Sequence, residues 1–253
     1  MSDVDPTKAM FRVWSVSTGA VPPAAWDILS ASERANAARF VHDADRESYV
    51  AAHAALRVVL SQVLQIVPHW VQFARTPAGR PFVVHPDPGN WDFNLSHTRG
   101  RALVALRRGG LVGVDVERLD PERSASEVSL VAVEEMLSAE ELSVVQGCDP
   151  ERRRRFLLEA WVAREAFAKA CGAGITRLDL RRVVPDPLPT AEGPAQERVR
   201  LRVPREWERG SGWTLQRLAT GGEDVAAVAY SGVDTPSFAD WDWGVREPCT
   251  PGL

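Results

Sequence analysis

A chain of 253 residues with 45% hydrophobic and 25% charged residues has the make-up of a soluble globular protein, long enough for one large domain or two smaller ones. Its formal net charge of -4 leaves no general attraction to nucleic acid or to an anionic membrane, so an anionic ligand has to be met by a local basic patch. Cys148, Cys171 and Cys249 are odd in number and lack Cys-x-x-Cys spacing, which speaks against a disulfide framework or a zinc site. The opening MSDVDPTKAM has no apolar core of signal-peptide type, and no stretch is long and apolar enough to span a bilayer, so a cytoplasmic protein is expected.

In chain order, Phe11 to Val16 reads as a strand, and Val21-Pro22-Pro23 as a turn. Ser30 and Ser32 offer N-caps for a helix through Arg34 and Phe40. Tyr49, Ala52, Leu56, Val59 and Val63 recur at helical spacing and predict a longer helix over Asp45 to Leu64, closed by Pro68. Short strands follow at 71–73, 82–84 (entered through a Gly79-Arg80-Pro81 turn), 93–95 and 102–106, and Gly109-Gly110 turns the chain into another strand over 111–117. A second long helix is predicted from Arg152 to Ala170, ended by Gly172 and Gly174. Strands at 199–203, 213–218 and 225–230 close the pattern, the last two joined by Gly221-Gly222. Pro185 to Gln196 reads as a loop, and the stretch after Gly232 as an irregular tail anchored by Trp241 and Trp243.

Two correspondences suggest a degenerate internal repeat. Tyr49…Leu56-Arg57 resembles Phe156…Ala163-Arg164, and Trp91-Asp92-Phe93 with Ala102 to Ala105 resembles Trp213-Thr214-Leu215 with Val225 to Val228. The expected fold is α+β, with two similar pseudo-symmetric lobes, each a small mainly antiparallel sheet packed with helices, and an active site between them. The expected boundaries are 1–110, 111–232 and a tail of 233–253.

The chemistry concentrates in three places. In Val112-Gly113-Val114-Asp115-Val116-Glu117, strand alternation puts Asp115 and Glu117 on one face. Paired carboxylates repel unless a cation or proton lies between them, and a hard divalent ion suits oxygen ligands; a solvated strand face is the ordinary alternative. On the second long helix, Trp161, Glu165 and Lys169 follow i, i+4, i+8 spacing. As an exposed ion pair, Glu165 and Lys169 would contribute only about 0.3–0.5 kcal/mol, but Trp161 on the same stripe argues for an inward face. The third place is Phe93-Asn94-Leu95-Ser96-His97, where a hydroxyl and an imidazole end a strand, suited to phosphate binding or to a structural histidine. Neighbours on an extended chain point apart, and no Gly-x-Ser-x-Gly elbow is present, which discounts serine hydrolysis. The chain also lacks a Walker loop, a Gly-x-Gly-x-x-Gly after a strand and a His-Glu-x-x-His. The run Arg152 to Arg155 reads as a solvated face or a contact for an acidic protein rather than for nucleic acid.

In order, Gly79-Arg80-Pro81, Phe93 to His97, Gly113 to Glu117 and Trp161 to Gly172 resemble the 4′-phosphopantetheinyl transferases of the Sfp, surfactin-synthetase-activating type, over roughly residues 10–230. A weaker likeness lies in Leu29-Ser30…Glu33-Arg34…Arg39-Phe40. The resemblance implies transfer of 4′-phosphopantetheine from coenzyme A to a serine of an apo acyl or peptidyl carrier protein, with release of 3′,5′-ADP, by a cytoplasmic monomer. It implies Mg2+, or Mn2+, held by Asp115, Glu117 and Glu165, with Glu165 as base and Lys169 steadying the pyrophosphate or protonating the leaving group. Arg80, Ser96 and His97 would meet the nucleotide's phosphates, with Arg34, Arg39 or Arg46 as candidates for the 3′-phosphate. Glu33 and Asn36 stand where some relatives carry lysine, and Arg164 stands where lysine is usual. A non-catalytic carrier- or coenzyme A-binding relative, and an unrelated Mg2+-dependent nucleotide pyrophosphate enzyme, are the competing readings.

Overall fold

The computed structural model describes residues 11–19, 21–119, 130–188, 198–220, 223–241 and 243. In chain order the elements are β1 (Phe11–Ser17), α1 (Ala24–Ile28), α2 (Ala31–Ala37), α3 (Asp43–Leu64), β2 (Gln72–Arg75), β3 (Pro81–His85), β4 (Trp91–Thr98) and β5 (Arg101–Arg108). Then come β6 (Val112–Arg118), α4 (Leu130–Glu135), α5 (Ala139–Gln146), α6 (Pro150–Cys171), β7 (Val184–Asp186), β8 (Arg198–Arg202), β9 (Trp213–Leu218), β10 (Asp224–Ser231) and β11 (Ser237–Trp241). The fold is α+β. Contacts divide it into two compact units, Met1–Gly110 with Asp234–Leu253, and Leu111–Val233.

In the first unit a four-stranded sheet runs in the order β11-β1-β5-β4, antiparallel except for the parallel pairing of β1 with β11. The hairpin β2-β3 forms a separate two-stranded sheet. Helix α3 covers the larger sheet, burying Val50, Ala51, Ala54, Ala55 and Val59 among Val16, Phe93, Ala102, Val104 and Leu106. Each fully buried valine or leucine contributes about 1.5–3 kcal/mol, so this face holds the unit together. α3 ends at Gln65, which adopts the left-handed conformation and bonds its N–H back to Ser61. Pro68, expected to close the helix, instead begins a short turn at Pro68–Trp70.

The second unit holds an antiparallel five-stranded sheet in the order β6-β10-β9-β8-β7. Helix α6 lies against β6 and β10 and buries Val162, Ala163, Ala166, Phe167 and Ala170 against Trp213, Leu215, Val225, Ala227 and Ala229. Asp149 caps its start by accepting from Arg152 N–H, Pro150 takes the first turn, and Gly172, in the left-handed conformation, ends it. The arginine run at its start is drawn into ion pairs: Arg153 with Glu134, and Arg152 and Arg155 with Glu159.

The structure corrects the sequence reading at several points. The stretch after Gly232 is not wholly irregular, because Ser237–Trp241 forms β11 beside β1. Its exposed edge position leaves little alternation to read. Val184-Pro185-Asp186 forms β7 at a sheet edge, where proline is tolerated; residues 189–196 of the expected loop lie outside those described. The short helices α1, α4 and α5 have too few turns to show a period.

Candidate functional site

Strand β6 carries Gly113, Asp115 and Glu117 on the face that meets α6. A Cβ on Gly113 would lie 2.1 Å from the Ala166 carbonyl oxygen and 2.4 Å from the Ala170 nitrogen, so only glycine lets the helix backbone come this close. The approach sets the last turns of α6 over Asp115. Lys169 donates from Nζ to Asp115 Oδ1 at 2.6 Å. The Asp115 side chain is buried, while the Lys169 side chain is partly exposed.

Along α6, Trp161, Glu165 and Lys169 are half-buried between residues that are fully buried, as the i, i+4, i+8 stripe predicted. Burial pushes the Glu165 carboxyl above its ordinary value; Asp115 adds to the rise and Lys169 opposes it. Burial alone would lower Lys169, but the charge and hydrogen bond of Asp115, then the charges of Glu165 and Glu117, outweigh it and hold the ammonium above its ordinary value. Asp115, Glu117, Glu165 and Lys169 therefore form one electrostatic cluster. Its hard oxygen donors, on a strand face and a helix face, are of the chemical type that would suit a divalent ion such as Mg2+. Among the described residues no three such side chains are gathered as a ready-made metal cage. Lys169 supplies a positive charge within the cluster.

Arg164, one residue before Glu165, is turned away from this cluster and fully buried. Its guanidinium binds Glu141 through both terminal nitrogens, at 3.1 and 2.6 Å, and donates to the carbonyls of Ala160 and Leu180. A lysine could not reproduce that fork.

The remaining candidates lie in the first unit. The Gly79 turn, at φ +88°, directs Arg80 to Asp92, which it meets at 2.8 and 2.9 Å. On β4, Ser96 is buried and His97 half-buried, and strand alternation turns them to opposite faces. His97 meets Tyr49 of α3 edge-on, ring centroids 6.1 Å apart, and Tyr49 stacks on His53 at 4.0 Å. Burial raises the Tyr49 hydroxyl above its ordinary value. Arg34 donates to the carbonyls of Leu29 and Trp26, Arg46 pairs with Asp43, and Arg39 is exposed. The sequence reading assigned no role to Tyr49, whose i, i+4 relation to His53 was a usable signal, or to Gly113, whose signal was a glycine inside a strand.

Two family models match the chain. Residues 14–107 match the model described as 4′-phosphopantetheinyl transferase, N-terminal, and residues 111–221 match that of the 4′-phosphopantetheinyl transferase superfamily. Between them they take in most of the sequence, and the chain belongs to the 4′-phosphopantetheinyl transferase superfamily. Relatives include the 4′-phosphopantetheinyl transferase HetI of Nostoc sp., 27% identical over 81% of this chain and 79% of HetI. The Synechocystis protein slr0495, provisionally named for the same activity, is 29% identical over 63% of each chain. The alignment thus spans less than two thirds of slr0495. The L-aminoadipate-semialdehyde dehydrogenase-phosphopantetheinyl transferase of Schizosaccharomyces pombe is 30% identical over 62% of this chain and 64% of its own. Among solved structures, the holo-[acyl-carrier-protein] synthase of Thermotoga maritima superposes with a TM-score of 0.37 at 20% identity, over 48% of this chain and 62% of that one. No described helix is long and apolar enough to cross a membrane.

Proposed function

We propose that this chain transfers the 4′-phosphopantetheine arm of coenzyme A to a serine of an apo acyl or peptidyl carrier protein, as a Mg2+-dependent enzyme of the Sfp type. The observation that carries the reading is the cluster itself: a buried Asp115 in contact with Lys169, beside a Glu165 whose burial favours its protonated form. Asp115, Glu117 and Glu165 are the residues that would hold Mg2+, or Mn2+ in its place. The ion, when bound, supplies positive charge to the pyrophosphate and to the charge that develops in transfer.

A serine hydroxyl is a poor nucleophile until a base takes its proton. Glu165, with its raised carboxyl, is the base in this reading. The serine oxygen forms a bond to the β-phosphorus of coenzyme A, the bond from that phosphorus to the bridging oxygen breaks, and 3′,5′-ADP departs. Lys169 offsets the charge on the departing phosphate or gives it a proton. In the first unit, Arg80, Ser96 and His97 are assigned to the nucleotide's phosphates, with Arg34, Arg39 and Arg46 as candidates for the 3′-phosphate. The chain is proposed to act as a cytoplasmic monomer on polyketide or peptide-synthetase carriers.

Purified protein incubated with coenzyme A, MgCl2 and an apo carrier is expected to add about 340 Da to the carrier, the mass of one arm. Glu165→Gln is expected to lower the rate by a factor of about 100 or more, since it removes both the base and a ligand. Near-normal transfer by Glu165→Gln would overturn its assigned role. No mass change with any of several carrier types would overturn the reading.

A further inference from the structure

We propose that Tyr49 is a positioning residue: braced by His53 and Glu33, it holds the ring of His97 in the orientation needed to meet a phosphate of coenzyme A. This deepens the functional reading above and rests on its assignment of His97 to the nucleotide's phosphates.

Tyr49, His53 and Arg57 follow i, i+4, i+8 spacing on α3, so their side chains stand in one row. The row is anchored at its far end. Arg57 is buried; it donates from Nε to Glu33 at 2.7 Å and from Nη1 to the carbonyls of Pro68 and Val71 at 2.9 and 3.0 Å. Those bonds tie α3 to α2 and to the chain entering β2. Glu33 also lies 3.4 Å from His53 Nδ1. Its carboxyl is held down at about 2, so at neutral pH it is ionised and can only accept, and Nδ1 carries the proton. The His53 ring is thereby turned against Tyr49, with the planes 27° apart and the centroids at 4.0 Å. Phe40 meets Tyr49 as well, at 5.4 Å.

Beyond Tyr49 in this chain of contacts stands His97. The two rings lie at 90°, an arrangement that aromatic quadrupoles favour. His97 is paired with Ala102 of β5, whose methyl group leaves room for the Tyr49 ring. The χ2 torsion of a histidine has broad wells, so an imidazole at a strand end needs its neighbours to fix where its nitrogens point. Tyr49 is such a neighbour. It contributes a ring and no charge, because burial raises its hydroxyl above the ordinary value, and the Asn36 side chain hydrogen-bonds that hydroxyl. Losing the ring should therefore weaken phosphate binding and leave the proton transfers assigned to other residues intact.

The test measures coenzyme A binding by calorimetric titration, and kcat and KM for coenzyme A with one apo carrier, well below the melting temperature. Tyr49→Leu is expected to raise the dissociation constant and KM about five- to tenfold, with kcat within about twofold. Tyr49→Phe, which keeps the ring, is expected to stay within about twofold of the wild type in all three. In a His97→Ala background, Tyr49→Leu is expected to change affinity by less than about twofold, because the residue it positions is gone. If Tyr49→Leu does not fold, His53→Leu takes its place, with an expected rise of about threefold that likewise vanishes in His97→Ala. A lower melting temperature without a change in KM, an equal loss in Tyr49→Phe, or full additivity with His97→Ala overturns the proposal. A wild type that neither binds coenzyme A nor modifies any carrier would instead refute the transferase reading. The bracing of His97 is then read from its ring resonances in a histidine-selective NMR spectrum. Tyr49→Leu is expected to shift them and Tyr49→Phe to leave them nearly in place; resonances unmoved by Tyr49→Leu overturn the brace.

Discussion

The two units repeat one order of elements and differ in where the long helix lies. Each runs strand, short helix, capped helix, a helix of 22 residues, and an antiparallel pair that returns beside the first strand, giving β1-β5-β4 and β6-β10-β9. Aligned on the strand pairings, Arg12, Trp14 and Val16 of β1 correspond to Gly113, Asp115 and Glu117 of β6. Aligned on Arg57 and Arg164, Val58 and Gln62 of α3 correspond to Glu165 and Lys169 of α6. Helix α3 lies chiefly over β4 and β5, whereas α6 lies over β6 and β10. A glycine in the first strand lets the helix settle on that strand, and the carboxylates planted there meet Glu165 and Lys169. The first unit keeps the frame without the carboxylate–lysine cluster.

What the units share is a buried bracket. In the first, Ser30 and Glu33 cap α2 reciprocally, and Glu33 also accepts from Arg57 at 2.7 Å. In the second, Ser138 and Glu141 cap α5 in the same way, and Glu141 binds Arg164. The brackets differ in their reserves. Glu141 is almost wholly buried, while Glu33 has His53 at 3.4 Å and slightly more exposure. The largest effect is therefore expected from Arg164→Met, a loss of about 3–5 kcal/mol in urea unfolding, because it strands a buried carboxylate. Arg57→Met is expected to cost less, since His53 and water can serve Glu33. Equal losses would show that the two brackets are energetically the same.

Next in size is Gly113→Ala, which drives a methyl group into the backbone of α6 and is expected to cost about 3 kcal/mol. On the proposed function it should also slow transfer, by moving Lys169 and Glu165 off β6. Gly147→Ala, whose new Cβ would be no closer than 3.7 Å to any atom, is the control, expected to stay within about 0.5 kcal/mol. If Gly113→Ala behaved like the control, the glycine would not be what sets the helix on β6.

Much of this was legible in the sequence, for reasons that can be located. The long helices showed because 22 residues give a 3.6-residue period room to repeat, and the Asp115-Val116-Glu117 and Trp161-Glu165-Lys169 patterns showed because strand and helix periods each put chemistry on one face. The brackets did not show, although Leu29-Ser30-Ala31-Ser32-Glu33 and Leu137-Ser138-Ala139-Glu140-Glu141 are nearly the same words. Ser30 reads as an N-cap, and nothing in either stretch signals that a distant arginine binds the capping glutamate. β11 stayed hidden because parallel pairing with a strand more than 200 residues away leaves no mark on local sequence. Nor could the sequence show the Lys169–Asp115 contact, which depends on how far α6 sinks toward β6.

The acid limb of stability should separate the brackets further. Burial opposes ionisation of Glu33, but hydrogen bonds from His53, Arg57 and Ser30, with the Arg57 charge, hold its carboxyl down at about 2 against an ordinary 4.5. A depressed carboxylate stabilises the fold fully above the ordinary value, and that contribution is lost as pH falls from 4.5 through 2. It amounts to about 3 kcal/mol at most. Glu33→Gln is expected to flatten the dependence of unfolding free energy on pH across that window. An unchanged slope would show that Glu33 is not held low in the native state.

The smallest effects are those of the caps. Ser30→Ala and Ser138→Ala should each cost about 1 kcal/mol, because each removes one acceptor for a backbone N–H and loosens a glutamate. The serine hydroxyl and the arginine act on one carboxylate, so their losses should not add. A double-mutant cycle of Ser138→Ala with Arg164→Met is expected to show coupling of about 0.5 kcal/mol or more, and Ser30→Ala with Arg57→Met should do the same. Coupling in the second unit alone would mean that Glu33 is held by His53 and Arg57 without help from its cap. The brackets would then be alike in sequence but not in mechanics.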